Sequence, residues 1–348
     1  MEQTLNSPEM LEKMNCPAFL VEDGTVICAN ESAQQRQITI GTKIADYISV
    51  GAEEYTQFTD GKLCITLSVS NISLNATVTP SGNCQLFCMD SDYQAPELRA
   101  FALASQHLRE PLANALTCAS LLEADENMQD QLSQLNRNLY QLHRAICNMS
   151  DTANYHAQRH SKMEYREVGS IFTEVMEKAS HMLAKGNHIL EYSGLNSPVN
   201  TLIDAEKLER ALLNMISNAV KFSPKDSIVR AELHRNSQKL YFTVKNSNTD
   251  NPGSNIFSYY LREPGIENPS NGIGLGMSIV QKTASAHGGT LLLEQSESTG
   301  IRFTMTLAIQ AVKDVKLRSN VHYPIDYAGG YDHTLIELSD VLPAELYK

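Results

Sequence analysis

The apolar positions divide the chain into stretches of different period. From Cys16 the residues Cys-Pro-Ala-Phe-Leu-Val-Glu-Asp-Gly-Thr-Val-Ile-Cys-Ala-Asn-Glu-Ser-Ala predict a strand, an Asp23-Gly24 turn, a second strand and the start of a helix. Further strands are expected at 61–69, 72–79 and 82–89, broken at Ser70-Asn71 and Pro80-Ser81-Gly82. From Ala95 to Tyr155 the period becomes helical, with a short break near 124–127. Its second half carries Met128, Leu132, Leu135, Leu139, Leu142, Ile146 and Met149 in alternating steps of four and three, a heptad pattern. The first half has Phe101, Leu108, Leu112, Ala115, Ala119 and Leu122 at compatible positions. Such a helical hairpin leaves its seam uncovered, so two copies closing a four-helix bundle are expected, and with them a homodimer.

Beyond residue 200 helix and strand patterns alternate. Asp204 is a candidate N-cap for a helix that ends before Pro224. Leu208, Leu212, Met215 and Ala219 form its apolar stripe, while Asn214, Asn218 and Lys221 fall on one polar face at i, i+4 and i+7. Asparagine is a poor helix former, so two of them a turn apart suggest a chemical purpose. The runs Ile228–Arg235 and Leu240–Val244 predict a hairpin, as do Leu291–Glu294 and Ile301–Ile309. Between these hairpins Gly272, Gly274, Leu275 and Gly276 lead into a helix from Met277 to His287. Its free N–H groups and positive dipole end make an anion the natural guest. The spacing matches neither a dinucleotide fingerprint, which needs glycine where Met277 stands, nor a Walker loop.

Together these stretches resemble the Bergerat-type ATPase domain of sensor histidine kinases. Asn-Met-Ile-Ser-Asn-Ala-Val-Lys-Phe-Ser-Pro from Asn214 matches the family's N box. Gly-Ile-Gly-Leu-Gly-Met-Ser-Ile-Val from Gly272, followed by Ala-His-Gly-Gly, matches its G2 box, and Ile256–Arg262 resembles its F box. The resemblance spans about residues 166–309 and implies binding of ATP with Mg²⁺. It places Asn218 at the metal, Lys221 and the glycine loop at the phosphates and Arg262 near a flexible lid, with Asn214 among the ATP-binding residues. The family's adenine-binding aspartate is replaced by Asn246, whose uncharged amide oxygen is expected to accept that hydrogen bond more weakly.

The hairpin in turn resembles the family's dimerisation and phosphoacceptor domain, whose motif is Ser-His-Glu-Leu-Arg-Thr-Pro-Leu. Here the text is Ser105-Gln106-His107-Leu108-Arg109-Glu110-Pro111-Leu112. Aligned on Leu-Arg-x-Pro-Leu, the acceptor position is Gln106, and His107, with Arg109 nearby, becomes the candidate phosphoacceptor. One residue along a helix turns a side chain by about 100° and lifts it about 1.5 Å. It also leaves no adjacent carboxylate to take the proton. The N-terminal strands resemble a PAS sensor domain, with Asn30 at that family's frequent asparagine; no heme, flavin or metal signature accompanies them.

Composition narrows the setting. A net charge of −12 argues against a general nucleic-acid or anionic-membrane binder. No apolar run reaches the length of about eighteen residues that a membrane span needs, and residues 1–16 lack a signal peptide's basic start. Seven cysteines without zinc spacing point to free thiols in a reducing cytoplasm. The expected fold is thus α+β and multidomain. A PAS-like α/β sensor covers 1–92, an antiparallel helical hairpin forming a dimeric four-helix bundle 93–162, an α/β-sandwich ATPase domain 163–312, and a tail of unassigned role 313–348. The expected activity is transfer of the γ-phosphoryl group to a histidine and thence to a response-regulator aspartate. The alternative is a non-catalytic, ATP-binding dimeric scaffold that senses an unidentified PAS ligand and acts by docking.

Overall fold

The computed structural model describes residues 11–14, 16–70, 72–90, 96–122, 128–156, 162–223, 227–246, 275–296, 300–310 and 330–348. Strands β1 (Ala18–Glu22) and β2 (Thr25–Ala29) form the expected hairpin, with Asp23 and Gly24 both at positive φ, 49° and 72°. Two successive positive φ values match the right-handed twist of the flanking strands, which is why Asp-Gly serves there. Helix α1 (Glu31–Gln35) follows. Its cap Asn30 is buried, accepts from the Ala18 and Ala33 N–H groups, and donates to the Leu11 and Cys16 carbonyls. One amide thereby ties the preceding segment, β1 and α1 together.

Then come β3 (Ile48–Val50), α2 (Ala52–Gln57), β4 (Lys62–Val69), β5 (Ile72–Ser81) and β6 (Cys84–Met89). The alternation read in the sequence puts Phe19, Leu63, Ile65, Val78 and Phe87 into a core on one sheet face, with Phe19 and Phe87 stacked at 4.8 Å.

Helices α3 (Pro96–Ser120) and α4 (Gln129–His156) pack as an antiparallel pair, Leu112 and Leu116 against Leu139 and Ile146. The heptad positions divide between two environments. Ile146 is buried in the pair, whereas Met128, Leu135 and Leu142, each seven residues apart, remain exposed together with Leu103 and Leu108 of α3.

The next unit comprises β7 (Glu164–Glu167), α5 (Val168–Lys185), β8 (Ile189–Ser193), β9 (Asn200–Ile203), α6 (Ala205–Lys221), β10 (Ile228–Asn236) and β11 (Lys239–Asn246). After it come α7 (Leu275–Ala286), β12 (Leu291–Ser296) and β13 (Gly300–Ala308). Both expected hairpins are present, β10 with β11 and β12 with β13, while β8 lies parallel to β10. Phe172 and Met176 of α5, Leu212 and Met215 of α6, and Phe242 and Phe303 of the sheet share one core. Gly289 lets α7 turn into β12 against β13, since a side-chain carbon there would stand 1.7 Å from the Thr306 carbonyl oxygen.

Two features bind these units together. Strand β4 pairs antiparallel with β12, Cys64 opposite Leu291 and Leu63 opposite Leu292, so the N-terminal strands and the second unit share one eleven-stranded sheet. A short tail helix α8 (His333–Glu337), capped by Asp332, and a 3₁₀ turn at Ala344–Leu346 bury Leu338, Leu342 and Tyr347 in the core of α5 and α6. The leucines at 335, 338, 342 and 346 do form the apolar face that their spacing allows.

Candidate functional site

Helix α6 is the centre of the site. Asp204 caps it by accepting the Lys207 N–H, and the Asp204 N–H donates to Nε2 of His287 at the end of α7. Nδ1 of His287 lies 2.7 Å from the Thr283 carbonyl, so the ring is the neutral tautomer with its proton on Nδ1. Burial holds its pKa below the usual histidine value. The Ala-His-Gly-Gly motif therefore locks the start of α6 to the end of α7.

The structure brings Asn214, Asn218 and Gly276 together. A side-chain carbon on Gly276 would stand 2.6 Å from the Asn214 amide oxygen and 3.8 Å from the Asn218 nitrogen. Only glycine lets the first turn of α7 approach the two amides so closely. Asn218 is half-buried, and Lys221, half-buried one turn on, lies 3.9 Å from Asp340 of the tail. Desolvation lowers the Lys221 pKa, and the Asp340 charge acts against that shift. Leu275 opens α7, whereas Gly272, Gly274 and Arg262 lie outside the described residues.

Asn214, on the polar face of α6, is fully buried. Its amide nitrogen donates to the Arg210 carbonyl at 2.9 Å and to Glu337 Oε2 at 3.2 Å, and its oxygen accepts from Arg144 Nη2 at 3.1 Å. Glu337, with no exposed side-chain surface, also receives Arg144 Nε at 3.3 Å and Arg210 Nε at 2.9 Å. Arg144 reaches Asp340 at 2.8 Å, and Arg210 contacts Asp151 and Asn148 of α4. A fully buried carboxylate is tolerable only with such paired and hydrogen-bonded partners. Arg144, Arg210, Glu337 and Asp340 were not among the sequence candidates. A glutamate inside the apolar run Leu335-Ile336-Glu337-Leu338 is the one local sign that could have pointed to them.

Asn246 is almost wholly enclosed at the end of β11. Its amide oxygen accepts the Ile301 N–H at 3.0 Å and its nitrogen lies 3.3 Å from the Ala219 carbonyl, so with 1% of its surface exposed it ties β11 to β13 and α6. An amide oxygen carries two lone pairs, so one acceptor site remains beside that bond.

His107 and Arg109 lie on the exposed side of α3, and Arg109 donates to Ser150 of α4 at 3.1 Å. The side chain of Gln106 lies outside the described residues. The hairpin meets α6 through α4, by way of Arg144, Asn148 and Asp151. His143 of α4 is half-buried with Nδ1 unpartnered among the described residues, edge-on to Tyr331 at 5.6 Å. Desolvation, helped by Arg109, lowers its pKa.

For a metal, the donor set that fits is the Asn218 amide oxygen, a hard ligand suited to Mg²⁺, which takes most of its remaining ligands from phosphate and water. Among the described residues no three His, Cys, Asp or Glu side chains converge to hold a metal by themselves.

Comparison with known proteins agrees with this geometry. Residues 203–311 match the family described as "Histidine kinase-, DNA gyrase B-, and HSP90-like ATPase". The chain is 28% identical over 232 residues to hybrid signal transduction histidine kinase D of Dictyostelium discoideum, covering 62% of this chain and 15% of that protein. It is likewise 28% identical over 232 residues to the sensor histidine kinase TmoS of Ectopseudomonas mendocina, covering 63% and 24%. The chain thus spans a quarter or less of the length of these relatives. Full-length ShkA, solved with AMPPNP, shares the fold at a TM-score of 0.50 and 19% identity, over 62% of this chain and 47% of that one.

Proposed function

From the premise that this chain belongs to the sensor histidine kinase family through its ATPase domain, we propose that it binds Mg-ATP on α6 and moves the γ-phosphoryl group to a histidine. The observation that carries this reading is the convergence of Asn214, Asn218 and Gly276, with Lys221 one turn on. Asn218 would hold Mg²⁺, while Lys221, Asn214 and the glycine loop would meet the phosphates. The bound metal would neutralise charge on the transferring group.

His107 is the proposed acceptor, and a response-regulator aspartate the next one. The exposed Leu103, Leu108, Met128, Leu135 and Leu142 support closure of the hairpin by a second copy. The N-terminal strands would be the PAS-like sensor. Among the described residues no helix is long and apolar enough to cross a membrane, and the free thiols fit a reducing, cytoplasmic setting.

One observation favours the second reading, a non-catalytic ATP-binding scaffold: α6 is held by α4, and His107 on α3 joins none of the bonds around it among the described residues. The two readings separate in one series. Mg-ATP is expected to raise the melting temperature of the wild type, and Asn218→Ala to remove most of the rise. Incubation with γ-labelled ATP is expected to give slow, acid-labile, alkali-stable labelling that His107→Ala abolishes. Nucleotide binding without label would make the scaffold the better reading.

A further inference from the structure

Two of the residues just assigned to the phosphates, Asn214 and Lys221, meet carboxylates of the protein's own tail. Glu337 accepts from Asn214, Arg144 and Arg210, and Asp340 stands against Arg144 and Lys221. A carboxylate offers oxygens to arginine forks and amides in the geometry that a phosphate uses. Asn214, Arg144 and Arg210 are 0%, 7% and 2% exposed, so no ligand reaches the first of them while the tail is docked. A phosphate group brought beside Glu337 and Asp340 would also place like charges at contact distance.

We propose that the segment from Asp332 to Tyr347 is an intramolecular competitor of nucleotide, its Glu337 and Asp340 carboxylates filling the phosphate end of the site. The proposal rests on the Mg-ATP reading and adds the regulation of that site. Being tethered, the segment acts at a high effective concentration without needing tight intrinsic binding. Leu338, Leu342 and Tyr347 anchor it in the core, and Asn136, Arg137 and Gln141 of α4 hold its backbone at the Tyr347, Ser339 and Asp340 carbonyls. The same segment therefore ties the ATPase domain to α4, so its release would free the site and loosen the domain from the hairpin together.

The test uses the full chain. Asp340 keeps 30% of its side chain exposed, so Asp340→Asn removes a competing charge without emptying the core. By calorimetry the variant is expected to bind Mg-ATP at least about five-fold more tightly, because apparent affinity scales with the fraction of competent molecules. Hydrogen exchange on the wild type gives an independent measure. Saturating Mg-ATP is expected to speed exchange about ten-fold at the Leu335, Leu338 and Leu342 amides, which are bonded within the docked segment. Equal, measurable affinities of the two proteins, or bound Mg-ATP with the tail amides still protected, would overturn this inference alone. No binding by either protein would remove the nucleotide reading and the competitor with it.

Discussion

The two helices of the hairpin carry opposite loads. Helix α3 holds the motif-like segment around His107, where His107, Leu108, Arg109, Glu110 and Pro111 are exposed while Ser105 and Leu112 are buried. Helix α4 carries no motif and, of the two helices, is the one whose side chains bond to α6 and the tail. Its faces divide the work: Leu139 and Ile146 meet α3, Met128, Leu135 and Leu142 stay open, and Asn136, Arg137, Gln141, Arg144, Asn148 and Asp151 grip the tail and α6. A helix of 3.6 residues per turn can serve three neighbours at once when residue type follows angular position. A phosphoacceptor motif thus marks where chemistry is expected, while a polar stripe at helical spacing marks where a domain is held.

The largest effect should come from the open face of α4. In the full chain, Leu135→Glu with Leu142→Glu changes four side chains across a two-fold seam, each contributing about 1.5–3 kcal/mol when buried. Light scattering is expected to report a monomer for this variant and a dimer for the wild type. A dimer that survives the double substitution would place the self-association surface elsewhere.

Next in size is the gripping face. Glu337→Gln leaves Arg144 and Arg210 buried without their shared charge and should cost about 3–5 kcal/mol in urea unfolding. On α3, Arg109→Ala removes an exposed contact and should cost less than about 1 kcal/mol. Similar losses for the two variants would erase the contrast between the helices.

The smallest effect is a pH dependence. His143 and His287 both have pKa values lowered by burial in the folded chain. Below the unfolded histidine value of about 6.5 the unfolded chain binds protons that the folded chain resists. The stability these two residues contribute is therefore full above that pH and is lost as pH falls through their folded values. His287→Gln, whose amide oxygen can still accept the Asp204 N–H, should make the decline of the urea midpoint between pH 7 and pH 5 shallower. An unchanged slope would show that the buried ring does not contribute to it.

What could be read from the sequence was local in origin. Alternation located the two hairpins of the ATPase domain and the strands before residue 90, because a pleated strand with one buried face repeats every two residues. The Asp204 cap, the stripe of α6 and Gly276 were legible for the same reason: each follows from steric or hydrogen-bonding demands within a few residues. Tertiary structure alone decided the rest. The β4–β12 pairing uses backbone groups that every residue carries, so no side-chain pattern announces it. The burial of Asn214 depends on Glu337, 123 positions away, and on Arg144, which in turn meets Glu337 across 193 positions. A polar residue at helical spacing looks the same whether it faces water or a buried carboxylate; which it meets depends on where the folded chain brings its own end.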